Sequence, residues 1–398
     1  MTDIDFSKPV PFVTCGVGTP DETTVIDTYE SATEDMYRMW YGNICTEEEL
    51  QRIMHVSNAP DYILRTAADT ISANARLCRV IRAHRYHAVK QWSLEKFLSP
   101  INNGYIYFKN HLAPEYRDLV QSIGTGSILS NDMNGIIFDS PFGLCSTISY
   151  SLIYFIQFSS LVLCDFDIPV PNSVRGNALR IATRINLGKE SLDFDLDPRG
   201  IIPSSISQQI VPIFRHICTF IAGHEYGHFL NGDVSHNIEL ETNANRSMSL
   251  NKTDLWRSTL YYSSHEKELK ADLTALNLPL FSADEYSLYY HHTLLWFAML
   301  AIVEAAEQTI FPPMGTPSHP SAKVRYMNIL DNAKRPYDFE ENKELYLLDL
   351  PETVEKLYDD IIEDVSLNFD FYEFYGSAYL AAPNSKWRGR ELIDRVDY

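Results

Sequence analysis

Cysteine is sparse and unpatterned in this chain. The six residues, Cys15, Cys45, Cys78, Cys145, Cys164 and Cys218, include no Cys-x-x-Cys pair. They read as reduced thiols of a cytosolic protein, mostly core, rather than a disulfide framework. Positive charge is scarce as well: 33 Lys and Arg stand against 53 Asp and Glu, a formal net charge of -20. Such a surface repels nucleic-acid phosphates and anionic membranes, so neither is an expected partner. A basic or neutral protein meets less repulsion, although solubility alone accounts for the acidity. Met1 to Phe6 shows no positive segment followed by an apolar one, so no secretory signal is read and a cytoplasmic location is expected. Repeats and low-complexity tracts are missing. Long apolar runs are nearly so. The exception is Ser140–Cys164, which has no charged residue. Its length would permit a membrane span, but Ser146, Thr147, Ser149, Ser151, Gln157, Ser159 and Ser160 dilute it, and a buried helix is the preferred reading.

What is present is ample core material. With 398 residues, 45% hydrophobic and 12% aromatic, the chain suits two domains or one elaborated domain. One stretch dominates: Ile221-Ala222-Gly223-His224-Glu225-Tyr226-Gly227-His228-Phe229-Leu230-Asn231-Gly232-Asp233. On an α-helix, positions four apart lie on one face, so His224 and His228 can present two imidazoles to one zinc ion. Glu225 then addresses a water in the open coordination position. Ile210, Phe214, Ile217, Ile221, His224 and His228 recur at helical steps, which makes the histidines part of an inward stripe. Ser204 or Ser205 can cap the start, or a fresh turn begins at Pro212, and Asn231-Gly232 supplies the stop. Cys218 and His216 lie too far along this helix to share the ion.

Elsewhere, residues 1–30 read as irregular, and Glu30–Tyr41 and Thr46–His55 as short helices, the second capped by Thr46. The longest helical pattern covers Ala67–Leu98. Gly104–Phe108 reads as a short strand and Pro114–Ile123 as a helix. In Arg175–Asp197, Leu179, Ile181, Thr183 and Ile185 alternate with polar neighbours, and Leu192, Phe194 and Leu196 alternate again, which predicts a β-hairpin. Asp233–Asp254 reads as a surface loop. Ser264–Leu276 and Asp284–Ile310 read as helices with capping-box spacing at Ser263/Glu266 and Ser282/Glu285. After a break at Phe311–Gly315, a helix runs from Ser318 to about Ala333, and Pro351–Val365 is the best helix of an acidic, aromatic tail.

A catalytic zinc site needs a third protein ligand and an open position. The candidate is Glu268 in Glu268-Leu269-Lys270-Ala271-Asp272, with Asp272 one turn on and placed to orient a liganding imidazole. Glu266 and His265 compete for the ligand role, but Glu266 fits better as the capping-box residue. His-Glu-Tyr-Gly-His followed by Glu-Leu-Lys-Ala-Asp resembles the gluzincin metallopeptidases, and is most similar to the branch of CAAX-prenyl endopeptidases and bacterial heat-shock membrane peptidases. In that branch the Glu-x-x-Ala-Asp element supplies the third ligand, and a His-Pro element followed by Arg comes later. Here Ser318-His319-Pro320-Ser321-Ala322-Lys323-Val324-Arg325 stands in that order. The resemblance covers about residues 175–333. Many members of the branch carry several membrane spans, whereas this chain has at most one candidate. In general design it also resembles the soluble Lit-type phage-exclusion peptidases.

The resulting expectation is an α+β, predominantly helical fold. It comprises a helical N-terminal region (1–135), a zincin-like metallopeptidase domain with a small sheet packed on the metal helix (136–333), and an acidic aromatic extension (334–398). The expected function is zinc-dependent endopeptidase activity on a protein or peptide substrate, with His224, His228 and Glu268 as ligands, Glu225 as general base and Asp272 behind a histidine. His319 is either a donor to the tetrahedral intermediate or a helix-start residue, since Pro320 suits a first helical position. Arg325 is read as a structural ion-pair partner, and His291 and His292 as packing or surface residues. The Leu179–Ile185 strand can bind substrate by strand addition. The alternative is a zinc-binding but catalytically silent interaction module, against which an intact Glu225 speaks. His224→Ala or His228→Ala should abolish stoichiometric zinc, because two remaining protein ligands hold the ion poorly; metal analysis of either purified variant checks this.

Overall fold

The computed structural model describes residues 33–88, 91–129, 133, 135–190, 192, 194, 199–234, 265–310 and 319–339. It also describes short tail pieces at 359–360, 362–364, 366–367, 386–387, 390–391 and 396. The expectations for residues 1–30, for most of Asp233–Asp254, for the Ser263 cap, for the break at Phe311–Gly315 and for most of Pro351–Val365 lie outside the described residues.

The architecture is mostly helical with a small sheet. Helices α1 (Glu34–Tyr41), α2 (Glu47–Met54), α3 (Ala59–Ala73), α4 (Ala75–Ala88), α5 (Leu94–Asn110) and α6 (Pro114–Val120) precede strands β1 (Gly124–Ile128), β2 (Gly135–Ser140) and β3 (Gly143–Ser149). Then come α7 (Ser151–Leu163), α8 (Asn172–Asn186), α9 (Ser204–Leu230), α10 (His265–Asn277), α11 (Ala283–Ile310) and α12 (Ala322–Asn332), with two-residue strands β4 (Lys386–Trp387) and β5 (Arg390–Glu391) in the tail. The three-stranded sheet has order β1-β3-β2, with β1 parallel and β2 antiparallel to the central strand.

Local signals explain many helix ends. Thr46 accepts from the Glu49 amide while Glu49 accepts from the Thr46 amide, the reciprocal capping box. The Ala67–Leu98 pattern is three helices rather than one. Asn74 takes an extended conformation and its side chain accepts from the Leu77 amide, and Ser93 caps the next helix by accepting from the Lys96 amide. Gly104–Phe108 lies inside α5, not in a strand.

The predicted hairpin is corrected in its first half: Asn172–Asn186 form helix α8, so the expected Leu179–Ile185 strand is helical, while most of the second half, over 191–197, lies outside the described residues. Val174, Ala178, Ile181, Ala182 and Ile185 face the core at helical spacing. The pattern is masked by Arg184, which is itself buried. Its Nε donates to Glu190 Oε1 at 2.9 Å, and Arg199 donates to Glu190 Oε2 at 2.7 Å, so one carboxylate holds two buried guanidiniums. The sheet comes instead from 124–149. β3 is buried along nearly its whole length, which removes the alternation that marks a half-buried strand. Ser140–Cys164 therefore divides into strand β3 and the 13-residue helix α7. Among the described residues no helix is long and apolar enough to cross a membrane.

Helix α9 runs through the middle. It packs against α5, α10 and α11 and against the β2 side of the sheet. It starts at Ser204 after Pro203, without a side-chain cap, and continues through Pro212. Ile206, Ile217 and Phe220 are at or below 1% exposure. Each such side chain contributes about 1.5–3 kcal/mol relative to exposure. The N-terminal helices share this core: Phe108 of α5 lies against Gly223, and Tyr105 packs edge-on to Tyr226. Glu190→Ala should destabilise the protein by about 3–5 kcal/mol, because it breaks two buried ion pairs at one carboxylate; chemical denaturation of the variant measures it.

Candidate metal centre

The His-Glu-x-x-His turn sits in the last two turns of α9, where every residue from His216 to His228 is buried. Helix α10 crosses it at Gly227. A Cβ on Gly227 would stand 2.9 Å from the Ala271 carbonyl oxygen and 3.2 Å from its Cα, so the two backbones touch there. That contact brings the buried face of α10 (Glu268, Ala271, Asp272 and Ala275) against the histidines.

His224, His228 and Glu268 meet as sequence predicts, with one ligand atom from each within 4.8 Å of the others. His224 Nε2 lies 3.2 Å from Glu268 Oε2, His228 Nε2 lies 3.4 Å from Glu268 Oε1, and the two Nε2 atoms are 3.1 Å apart. Glu266 and His265 are exposed on α10 and are not in this group, which resolves the competition in favour of Glu268.

The outer partners set the tautomers. A carboxylate only accepts, so His224 Nδ1–H donates to Asp272 Oδ1 at 2.8 Å and turns Nε2 toward Glu268. Asp272 is fully buried and is clamped by Arg325, whose Nε and Nη2 reach its two oxygens at 2.8 and 2.5 Å. Arg325 is thus the expected ion-pair partner, and it stacks over Phe297 at 5.0 Å. His228 Nδ1–H donates to Asp233 Oδ2 at 3.3 Å, which turns its Nε2 toward Glu268 in the same way.

Asp233 was missed in the sequence reading, although its signal is present in Asn231-Gly232-Asp233. Gly232 adopts φ +78, its N–H donates to the Phe229 carbonyl, and the Asp233 N–H donates to the His228 carbonyl. This is a Schellman ending, in which a left-handed glycine folds the chain back over the last turn. It swings the next carboxylate toward the histidine one turn below. Lys267 Nζ stands 3.4 Å from the other oxygen of Asp233.

Two imidazole Nε2 atoms and a carboxylate therefore converge on one buried point. Glu268 Oε2 is buried and has no hydrogen-bond partner. A cation between these atoms gives that oxygen a partner, so the trio fits a metal ion. The charges of the bare protein show the same demand. Burial penalises a charged His224, but Asp272 and Glu268 outweigh it and raise its pKa to about 9. Burial likewise pushes Glu268 up, but His224 and His228 outweigh it and hold the carboxyl far below the usual range. At neutral pH an incoming ion displaces a proton from His224.

Glu225 lines a small open cleft beside the trio, with His224, His319 and Arg325 among its polar residues. Burial raises its carboxyl above the ordinary value, against the opposing pull of His224 and His228. His319 stands at the open rim, its Nε2 3.6 Å from Glu268 Oε2 and its side chain 49% exposed. Pro320 is not the first helical residue, because α12 starts at Ala322 with Ser321 as its cap.

His216 and His292 are packing residues of a separate group. Their Nδ1 atoms are 2.7 Å apart, and His216 Nε2 donates to Glu285 at 2.9 Å. Cys218 is buried on α9 and is not among the candidate ligands.

No family model, curated protein or solved structure matches this chain. Zinc titration of metal-free variants should give a clear order. Glu268→Gln loses most of the affinity, Asp272→Asn and Asp233→Asn lose about 10–100-fold each with Asp272 the larger, and Glu266→Gln matches the parent protein.

Proposed function

We propose that this chain is a zinc-dependent endopeptidase of the gluzincin type, acting on a protein or peptide in the cytoplasm. The observation that carries this reading is the buried His224–His228–Glu268 trio beside Glu225, at the wall of a solvent-open cleft. A structural zinc site closes its fourth position with protein, whereas among the described residues His224 of this trio lines an open cleft together with Glu225. Two neutral imidazoles and one carboxylate form the donor set of catalytic zinc in peptidases. When bound, zinc supplies a Lewis acid that brings the pKa of water to about 7 and polarises a carbonyl.

The chain's own residues do the rest. Asp272 and Asp233 keep Nε2 of each histidine free by holding the proton on Nδ1. Arg325 keeps Asp272 ionised in a fully buried place, with burial opposing and the guanidinium outweighing it. Glu225 takes the proton from the attacking water and delivers it to the leaving amine. Burial raises its carboxyl above the ordinary value, which suits a group that must both accept and return a proton. His319, at the rim beside Glu268, is placed to donate a hydrogen bond to the oxygen that gains charge as the carbonyl is attacked. The edge of β2 replaces the lost α8 strand as the backbone on which a substrate can align, since Gly135 lies against Ile221 and Glu225.

Glu225→Gln should keep the fold and the zinc while lowering peptide-library cleavage by at least the roughly 10²–10⁴-fold typical of acid–base catalysis. Cleavage at the parent rate in a zinc-replete sample refutes the role of Glu225. An absence of cleavage by the zinc-replete parent protein favours the silent-module alternative.

A further inference from the structure

We infer that Glu304 is a positioning residue for the metal centre: it grips the start of α12 and so holds Arg325 against Asp272 and His319 at the rim; this rests on the zinc reading above. The amide of Ala322, the first residue of α12, donates to both oxygens of Glu304, at 2.9 and 3.1 Å. The leading amides of a helix have no partner within it. Ser321 Oγ takes the Val324 amide at 3.4 Å, and Glu304 reaches across from α11 to take that of Ala322. A carboxylate at this place also faces the positive end of the helix dipole.

Ala322 is the midpoint of the segment that serves the site. His319 lies three residues before it and Arg325 three residues after it. Pro320, between His319 and the cap, is buried. Arg325 reaches Asp272 Oδ2 at 2.8 Å, and Asp272 accepts from His224 Nδ1 at 2.8 Å. The line of contact from Glu304 to a ligand therefore runs through α12, Arg325 and Asp272. Helix α11 is patterned to hold α12 in this way. Tyr290, Phe297 and Glu304 recur every seven residues, about two turns, and so share one face. The Tyr290 hydroxyl donates to the Ile329 carbonyl at 3.4 Å, Phe297 lies 5.0 Å from the Arg325 guanidinium, and Glu304 takes the Ala322 amide. A ring attracts a guanidinium through its quadrupole, not through a directed bond. Where α12 begins, and how Arg325 approaches Asp272, is set by directed bonds such as the one at Glu304.

The test measures zinc affinity of the full chain by competition with a chelator, and stability by urea denaturation. Glu304→Ala should weaken zinc binding about tenfold, the low end for a partner behind a ligand, because the effect passes through Arg325 and Asp272 before it reaches His224. Glu304→Gln keeps an acceptor oxygen and should recover most of that loss. In the Asp272→Asn background, adding Glu304→Ala should cost less than about threefold, since contacts in one network are not additive. Thr46→Ala removes the cap of a distant helix and should lower stability while zinc binding stays at the parent value. Where Glu304→Ala does not fold, Glu304→Asp takes its place, being a methylene too short for the amide, with the same loss expected. Parent affinity in the Glu304 variant overturns the role, as does an equal loss with and without Asp272, or a loss of the same size in Thr46→Ala. Weakened zinc binding in the Glu304 variant of a parent that cleaves no peptide supports the positioning role and counts against the peptidase reading. Unchanged zinc binding in a parent that does cleave peptides supports that reading and overturns the role. Failure of the parent to load zinc overturns both.

Discussion

Two helices touch at Gly227 and Ala271, and the candidate metal centre depends on that contact. Helix α9 carries two imidazoles and α10 carries the carboxylate, so the trio exists only if the axes come within backbone contact. A side chain at Gly227 would meet the α10 backbone, which cannot rotate away as a flexible side chain does. The small residues inside both motifs, Gly in His-Glu-Tyr-Gly-His and Ala in Glu-Leu-Lys-Ala-Asp, thus have a packing role beside the chemistry of their neighbours.

Bringing these groups together concentrates charge in a dry place, and the surrounding structure compensates for it. Asp272 is fully buried beside another buried carboxylate, Glu268. Unpaired, either would be strongly destabilising. Arg325 arrives from α12 to pair with Asp272, and the aromatic face of Phe297 supports its guanidinium. Among the described residues Glu268 faces the two histidines and the rim histidine, and its Oε2 makes no hydrogen bond, an arrangement that fits an ion. The N-terminal helices are part of the same construction, because α5 backs α9 directly behind the motif.

The legible parts of the chain are those where chemistry and periodicity coincide. The metal helix, its stop at Asn231-Gly232, the capping box at Thr46 and the helices carrying Glu268 and Arg325 are all visible in residue spacing. The errors fall where burial is two-sided or a charge is hidden. β3 is covered on both faces and shows no alternation, and β1 is Gly-Thr-Gly-Ser-Ile, with its glycines pressed against Ala59 and Ile63. α8 reads as alternating because Arg184, which looks like a solvent position, is sealed inside with Glu190 and Arg199. Asp233 escaped notice because its role depends on a left-handed turn at Gly232 rather than on helical spacing.

By itself the sequence determined which groups are available: two histidines on one helical face, an adjacent glutamate, and a second helix with Glu268 and Asp272 one turn apart. Those relations are local, and 3.6 residues per turn is enough to derive them. Only the tertiary structure decided that Glu268 rather than Glu266 turns inward, that Asp233 holds the second histidine, and that Arg325 neutralises Asp272. It also decided that Glu225, His319 and Arg325, from distant parts of the chain, line one cleft with His224. These outcomes depend on which faces meet, and that is set by packing summed over the whole core rather than by any short stretch of chain.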